Sequence, residues 1–258
     1  MGRIISIANQ KGGVGKTTTT VNLSACLAHA GKKVLAIDFD PQANTTSGLG
    51  INKYTLKSSV YDLLLGERRI EEIILGTQVE GLELLPSNME LAGAEIELIN
   101  MREREFILKR ILVDTKYIYD FILIDCPPSL NILTVNAMAA ADSVLVPIQC
   151  EYFALEGLTQ LMHTIELIKK RINRRLRLDG VVFTMFDPRT NLSADVVEQV
   201  KQHMNKDVYR SIIPRNVRLS EAPSHGKPIT LYDSKSKGAE AYMSLAWEVI
   251  DRGDVIYA

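Results

Sequence analysis

The chain has 258 residues, 46% hydrophobic and 24% charged, with a formal net charge of −1. That length allows a sizeable core, and the near-neutral balance excludes a polycation that binds nucleic acid over its whole surface. Three separated cysteines (Cys26, Cys126, Cys150) and four histidines without ligand spacing (His29, His163, His203, His225) argue against a disulfide framework or a zinc site.

No apolar run reaches the roughly 18 residues of a membrane span. The sequence enters a strand by about residue 3, leaving no room for a signal peptide, so a cytoplasmic protein is expected. Ile4-Ile5-Ser6-Ile7-Ala8 is an apolar run that reads as a buried strand. A glycine loop follows, and then Val21, Leu23, Ala25, Leu27 and Ala28 suit a helix packed on a sheet. Gly31 stops that helix, and residues 33–40 read as a second strand. Short helices are expected over 60–65 and 70–75, a short strand over 82–86, and one long helix over 88–114. Residues 121–125 form a buried strand that ends in an acid. Strands at 143–148 and 180–186 flank a helix over 154–174. Residues 192–205 and 234–252 look helical, with a strand near 209–213 between them. The alternation predicts a single α/β domain over residues 1–258, with a mostly parallel twisted sheet covered by helices on both faces.

Strand, glycine loop and helix together are the context of a phosphate-binding loop. Glycines let backbone N–H groups curl round an anion, and the helix N-terminus adds positive potential. Gly12, Gly13, Val14 and Gly15 form the cradle, and Thr18 follows it. Lys16 is placed for the β- and γ-phosphates of ATP, and the Thr17 hydroxyl for Mg²⁺, as in a P-loop NTPase. Gln10 stands where the usual pattern has glycine, and Lys11 occupies the mouth of the loop.

Asp125 ends an apolar strand ahead of Cys126-Pro127-Pro128. Ligands bind at the carboxyl ends of such strands, so Asp125 suits a carboxylate that holds Mg²⁺ through water; a turn cap is the alternative. Asp38 and Asp40 stand two apart and share a face if the strand runs that far. Such an acid can orient the water that attacks the γ-phosphate, or contact the metal through water, or simply sit in a solvated loop.

Residues 11–18, KGGVGKTT, resemble the ParA/MinD family of deviant Walker A ATPases. Asp38-Phe39-Asp40-Pro41-Gln42 and the DCPP at 125–128 resemble its switch motifs, and 184–193 and 213–229 resemble stretches of its chromosomal ParA (Soj-like) branch. The resemblance runs from residue 3 to about 250. It implies ATP and Mg²⁺ as ligands, with Lys11, Lys16 and Asp40 catalytic and Asp38 in support. It also implies an ATP-sandwich homodimer in which Lys11 crosses to the partner and Gly12 lies at the contact. Pro214, Asn216 and Met185 are implied at the adenine site, and Arg189 and Arg218 are implied to face DNA phosphates.

Residues 169–177 carry six cations and no acid. Cations suit a helix C-terminus, but six exceed what a cap needs. Lys170 and Arg174 are therefore expected to join Arg189, Arg218 and Lys227 in one basic face. No aromatic platform or recognition helix accompanies it, so the expected ligand is double-stranded DNA, bound non-specifically.

The resemblance thus implies a nucleoid-associated chromosome-partitioning ATPase stimulated by a ParB-type centromere-binding protein, with no membrane contact. A ParA-like positioner of another cargo, a MinD-type membrane ATPase, an iron–sulfur reductase of the nitrogenase type and a non-catalytic scaffold are the alternatives. The sequence at 251–258, with two acids and a glycine, lacks the basic amphipathic character of a MinD-type membrane helix. The cysteines do not fit the reductase. Lys11, Lys16, Asp40 and Asp125 together speak against a scaffold.

Overall fold

The computed structural model describes residues 2–151 and 154–257, so Ala258 at the end of the sequence lies outside the described residues. β1 (Arg3–Ile7) leads through the glycine loop into α1 (Lys16–His29), and β2 (Val34–Asp38) leads into α2 (Asn44–Gly48). Next come α3 (Val60–Leu65), α4 (Ile70–Ile73), the two-residue β3 (Leu75–Gly76), β4 (Leu82–Leu85) and α5 (Leu91–Glu97). The alternation continues through α6 (Ile107–Thr115), β5 (Phe121–Asp125), α7 (Ile132–Ala140), β6 (Ser143–Gln149), α8 (Ala154–Arg171) and β7 (Arg177–Phe186). It ends with α9 (Asn191–Met204), β8 (Val208–Pro214), α10 (Val217–Glu221), α11 (Ile229–Tyr232) and α12 (Lys237–Tyr257).

Among the described residues eight strands form one sheet, in the order β3-β4-β2-β5-β1-β6-β7-β8. The pairings are parallel except β3 against β4. Successive strand residues point to opposite faces. Ile4, Leu35, Ile122 and Val144 therefore pack on one side with Leu108, Leu133, Leu161 and Val196 of α6 to α9. Ile5, Ala36, Leu123 and Leu145 pack on the other, against Val21 and Leu27 of α1 and Tyr242, Leu245 and Val249 of α12. Helices cover both faces, as expected.

Three expectations are corrected. The helix expected over 88–114 is broken: Met101 is extended and Glu103 is left-handed at φ 51°. On one unbroken helix Leu98 and Ile107 would point about 180° apart. Both are buried in the same core, and the break makes that possible. Leu75, expected at a helix end, opens the antiparallel strand β3. The helix expected over 154–174 stops at Arg171 because Asn173 turns inward, its amide donating to the carbonyls of Met138 (3.0 Å) and Ala141 (2.8 Å).

The two edges of the sheet are closed differently. β3 is only two residues long. At the other edge, Glu248 of α12 accepts from the backbone N–H groups of Arg210 (2.9 Å) and Ser211 (3.4 Å) of β8. No helix among the described residues is long and apolar enough to cross a membrane.

The amino end of the sheet is locked by a buried polar cluster around Asp179. Its carboxylate accepts from Arg3, Ser143 and Tyr209, each on a different strand. Arg252 donates to the carbonyls of Asp179 (2.9 Å) and Val208 (2.7 Å) and lies over the Tyr209 ring at 4.0 Å. This fastens α12 to β7 and β8. Asp179→Ala leaves a buried guanidinium without its carboxylate and two hydroxyls without their acceptor. A loss of about 3–5 kcal/mol in urea unfolding is expected, with the slope against urea unchanged. A loss within experimental error would show that the cluster does not stabilise the fold.

Candidate active site

The parallel strands bring their carboxyl ends to one edge, and the glycine loop leaves β1 there. Gly13 and Gly15 take φ of 75° and 87°, the left-handed region that glycine enters without strain. α1 starts at Lys16 with no side-chain cap and no acid in its first turn. Its leading N–H groups are thus left for an anion. Asn9, which the sequence reading passed over, fixes the mouth of the loop: its amide donates to Pro147 O (2.8 Å) and its Oδ1 accepts from Lys11 N (3.0 Å). A polar residue directly after the apolar run was the signal.

Lys16 is 7% exposed and its Nζ donates to Lys11 O at 3.1 Å. Burial pulls the ammonium below its ordinary pKa, opposed chiefly by the charge of Asp125. Lys11 instead extends over the surface, half-exposed, and pairs with Glu151 at 2.6 Å. Gln10, in the place of a glycine, reaches Thr164 of α8 at 3.4 Å.

Asp38 and Asp125 stand side by side in the register of β2 and β5, both fully buried. Burial pushes both carboxyls above the ordinary range, and for Asp38 the charge of Asp125 adds to the effect. Asp125 Oδ2 accepts from Thr17 (2.8 Å) and from Thr45 (2.7 Å). Thr45 was not legible as a site residue, because its partner lies on another strand. Asp125 Oδ1 is buried with no hydrogen-bond partner. Asp40 does not continue the strand: β2 ends at Asp38, and Asp40 sits in the following turn at 8% exposure, with Oδ1 accepting from Gln42 N at 2.9 Å. The possibility of a shared strand face for the two acids is thereby corrected, as is that of a solvated loop.

A cleft of about 500 Å³ beside the loop is lined by Gly15, Thr18, Thr184, Met185, Pro214 and Asn216, among others. Thr18 thus joins the three implied adenine contacts in one place. Met185 holds a left-handed φ of 52°, and Thr184 Oγ1 donates to Val14 O at 2.8 Å, tying β7 to the glycine loop.

The model of a family described as an AAA domain matches residues 2–178. Over 253 residues the chain is 57% identical to the sporulation initiation inhibitor protein Soj of Bacillus subtilis (strain 168), covering 98% of this chain and 100% of that one. The chain belongs to the ParA/MinD family of ATPases. It is also 53% identical over 252 residues to the chromosome partitioning protein ParA of Myxococcus xanthus (strain DK1622), covering 98% and 89% of the two. Among solved structures, cobyrinic acid a,c-diamide synthase from Mycobacterium smegmatis with bound ADP and magnesium matches with a TM-score of 0.87 at 38% identity, covering 98% and 96%. The cell division ATPase MinD of Pyrococcus furiosus matches at 0.80 and 32%, covering 98% and 99%.

A ParA/MinD ATPase hydrolyses ATP with Mg²⁺, and the residues present fit both. Asp125 presents a partnerless buried oxygen beside the Thr17 hydroxyl, and the uncapped helix N-terminus is open to an anion such as phosphate. Among the described residues no three His, Cys, Asp or Glu side chains converge as a metal cage. Mg²⁺ on a nucleotide needs none, since it keeps waters and phosphate oxygens as ligands.

The basic residues do not form one face. Asn173 and Leu176 are buried and divide the run at 169–177. Lys170 and Arg174 lie exposed at the amino end of β7, whereas Arg189 follows its carboxyl end. Ten strand residues put about 30 Å between them. Arg189 is 83% exposed and clasps Asp187 (2.6 Å), holding that carboxyl well below its usual range. Arg218 pairs with Glu221 (3.0 Å) and Asp233 (3.5 Å). Lys227 is exposed near the carboxyl edge, in a groove with Ser224 and Asn44.

Lys16→Ala tests the phosphate site. It removes a desolvated ammonium with no carboxylate contact, so thermal stability should hold or rise. Charge-assisted bonds to phosphate contribute about 1.5–3 kcal/mol, so affinity for a fluorescent ATP should fall by about 100-fold. Unchanged affinity would remove Lys16 from the site.

Proposed function

We propose that residues 1–258 form one ATPase domain that partitions chromosomes in the cytoplasm. It acts as an ATP-dependent homodimer, binds double-stranded DNA non-specifically on the nucleoid, and is stimulated by a ParB-type partner. The observation that carries this reading is the meeting of Lys11, Lys16, Asp40 and Asp125 at one edge of the sheet, in a chain 57% identical to a Soj protein.

In this reading the N–H groups of residues 12–18 and the Lys16 ammonium bind the phosphates. Thr17 would hold Mg²⁺, with Asp125 reaching it through water. Mg²⁺ neutralises phosphate charge when bound. Asp40 gives Oδ1 to Gln42 and keeps Oδ2 for the attacking water, with any contact to the metal made through water. Met185, Pro214 and Asn216 border the adenine. Lys11 leaves Glu151 and crosses to the partner's phosphates.

Gly12 offers a clean test of the dimer. A Cβ built there meets nothing within 4 Å, so Gly12→Val should fold, melt like the parent and bind ATP. It should nonetheless stay monomeric with ATP in analytical ultracentrifugation, because the added branch meets the facing loop. A normal ATP dimer would defeat the sandwich arrangement.

DNA binding is tested by its salt dependence. Arg189, Arg218 and Lys227 flank the carboxyl edge that a sandwich dimer would share, while Lys170 and Arg174 form a second cationic surface for the same polyanion. The logarithm of affinity falls by about 0.9 per phosphate neutralised for each tenfold rise in salt. Arg189→Glu or Arg218→Glu, present twice per dimer, should therefore reduce that slope for every duplex sequence, by up to about 1.8 less what the broken ion pairs offset, with the ATP dimer intact. Equal binding with ATP and ADP, or an unchanged slope in both variants, would overturn the DNA reading. Binding to anionic liposomes in place of DNA would favour a membrane ATPase.

A further inference from the structure

Asp40 lies outside regular structure, yet its backbone is held on both sides. Its N–H donates to Asp38 Oδ1 at 3.3 Å. Its carbonyl accepts from Ser87 Oγ at 3.0 Å and from Ala43 N at 2.9 Å. Ser87 lies two residues beyond the end of β4, with its own N–H donating to Thr46 Oγ1 at 3.0 Å. The Thr46 hydroxyl donates in turn to Asp38 Oδ2 at 2.7 Å, and the Thr46 N–H reaches the same oxygen at 2.7 Å. The bonds close a ring that runs Asp40, Asp38, Thr46, Ser87 and back to Asp40. Asp38, Thr46 and Ser87 are fully buried.

We propose that Ser87 is a positioning residue for hydrolysis: through this ring it holds the backbone of Asp40 so that the carboxylate faces the attacking water. The inference rests on the reading of Asp40 as the acid that orients water. The register explains how Ser87 comes to be there. Ile37 of β2 pairs with Leu85 of β4, so the turns that leave the two strands run side by side. The turn after β4 braces the turn after β2. Ser87 Oγ has a longer alternative acceptor in Asn88 O at 3.4 Å, and the shorter bond is the one to Asp40.

A buried serine could also serve only to fix its own loop. The two roles separate by what changes. A brace on Asp40 affects the chemical step and spares ATP binding, because the side-chain hydrogen bonds of Ser87 and Thr46 go to Asp40, Asp38 and Asn88 and not to the glycine loop. An ångström of misplacement at a reacting group can cost up to about 100-fold in rate, and loss of one hydrogen bond corresponds to about tenfold.

The experiment uses the full chain and measures single-turnover ATP hydrolysis, ATP affinity and melting temperature on four variants. Ser87→Ala should slow hydrolysis about tenfold with ATP affinity within about twofold of the parent. Thr46→Val, which cuts the ring elsewhere without changing side-chain shape, should do the same, and Thr46→Ser, which restores a hydroxyl, should recover most of the rate. Asp40→Ala should bind ATP and stall. Ser87→Ala hydrolysing at the parental rate, or losing rate and ATP affinity together, overturns the inference while Asp40→Ala still stalls. Turnover in Asp40→Ala overturns the reading of Asp40 and this inference with it.

Discussion

Two carboxylates, Asp38 and Asp125, end adjacent parallel strands with both side chains buried, and the site is arranged around that constraint. Paired strands lie about 4.8 Å apart, so the two charges repel at short range in a medium that solvates neither. Donors answer this at both oxygens of Asp38 and at Asp125 Oδ2. Thr46 supplies two bonds to Asp38; Thr17 and Thr45 supply two to Asp125. The threonines at 45 and 46 belong to the segment after β2, so the acids fasten that segment to the sheet. One residue of slip between β2 and β5 would turn one acid to the opposite face and release it.

The glycine loop and Asp125 were legible because their chemistry is contiguous in the sequence: anion cradle, lysine and hydroxyl follow one another, and an acid closes an apolar run. Thr45 and Glu151 were not, since each is a single polar residue whose partner is distant in sequence and is brought near only by the fold. Asp40 was read as facing with Asp38 if the strand ran that far, and only the chain path shows that β2 ends at Asp38 and that Asp40 opens a turn. α7 was missed for a different reason. It is buried on nearly all sides and so carries no polar period, and its one signal was Asn131, whose side chain caps the N–H groups of Leu133 and Thr134. The break between α5 and α6 has no glycine or proline to announce it. It follows from where two apolar stripes must point.

Charge on this surface is organised as pairs. Arg189 and Arg218 are exposed but already meet carboxylates, and exposed pairs of this kind hold together weakly. A phosphate that took either arginine would leave Asp187 or Glu221 uncompensated beside it. Such a contact is self-limiting, and its strength depends on salt through two opposing terms. Lys11 and Glu151 repeat the arrangement at the mouth of the glycine loop.

The edges of the sheet carry a consequence for assembly. A bare edge strand invites pairing with another chain. Here one edge is a two-residue strand and the other has donors claimed by Glu248. Sheet-to-sheet pairing between copies is thereby disfavoured. Any association between copies is then left to the faces, where contact can be made and undone without exposing a row of unpaired backbone groups.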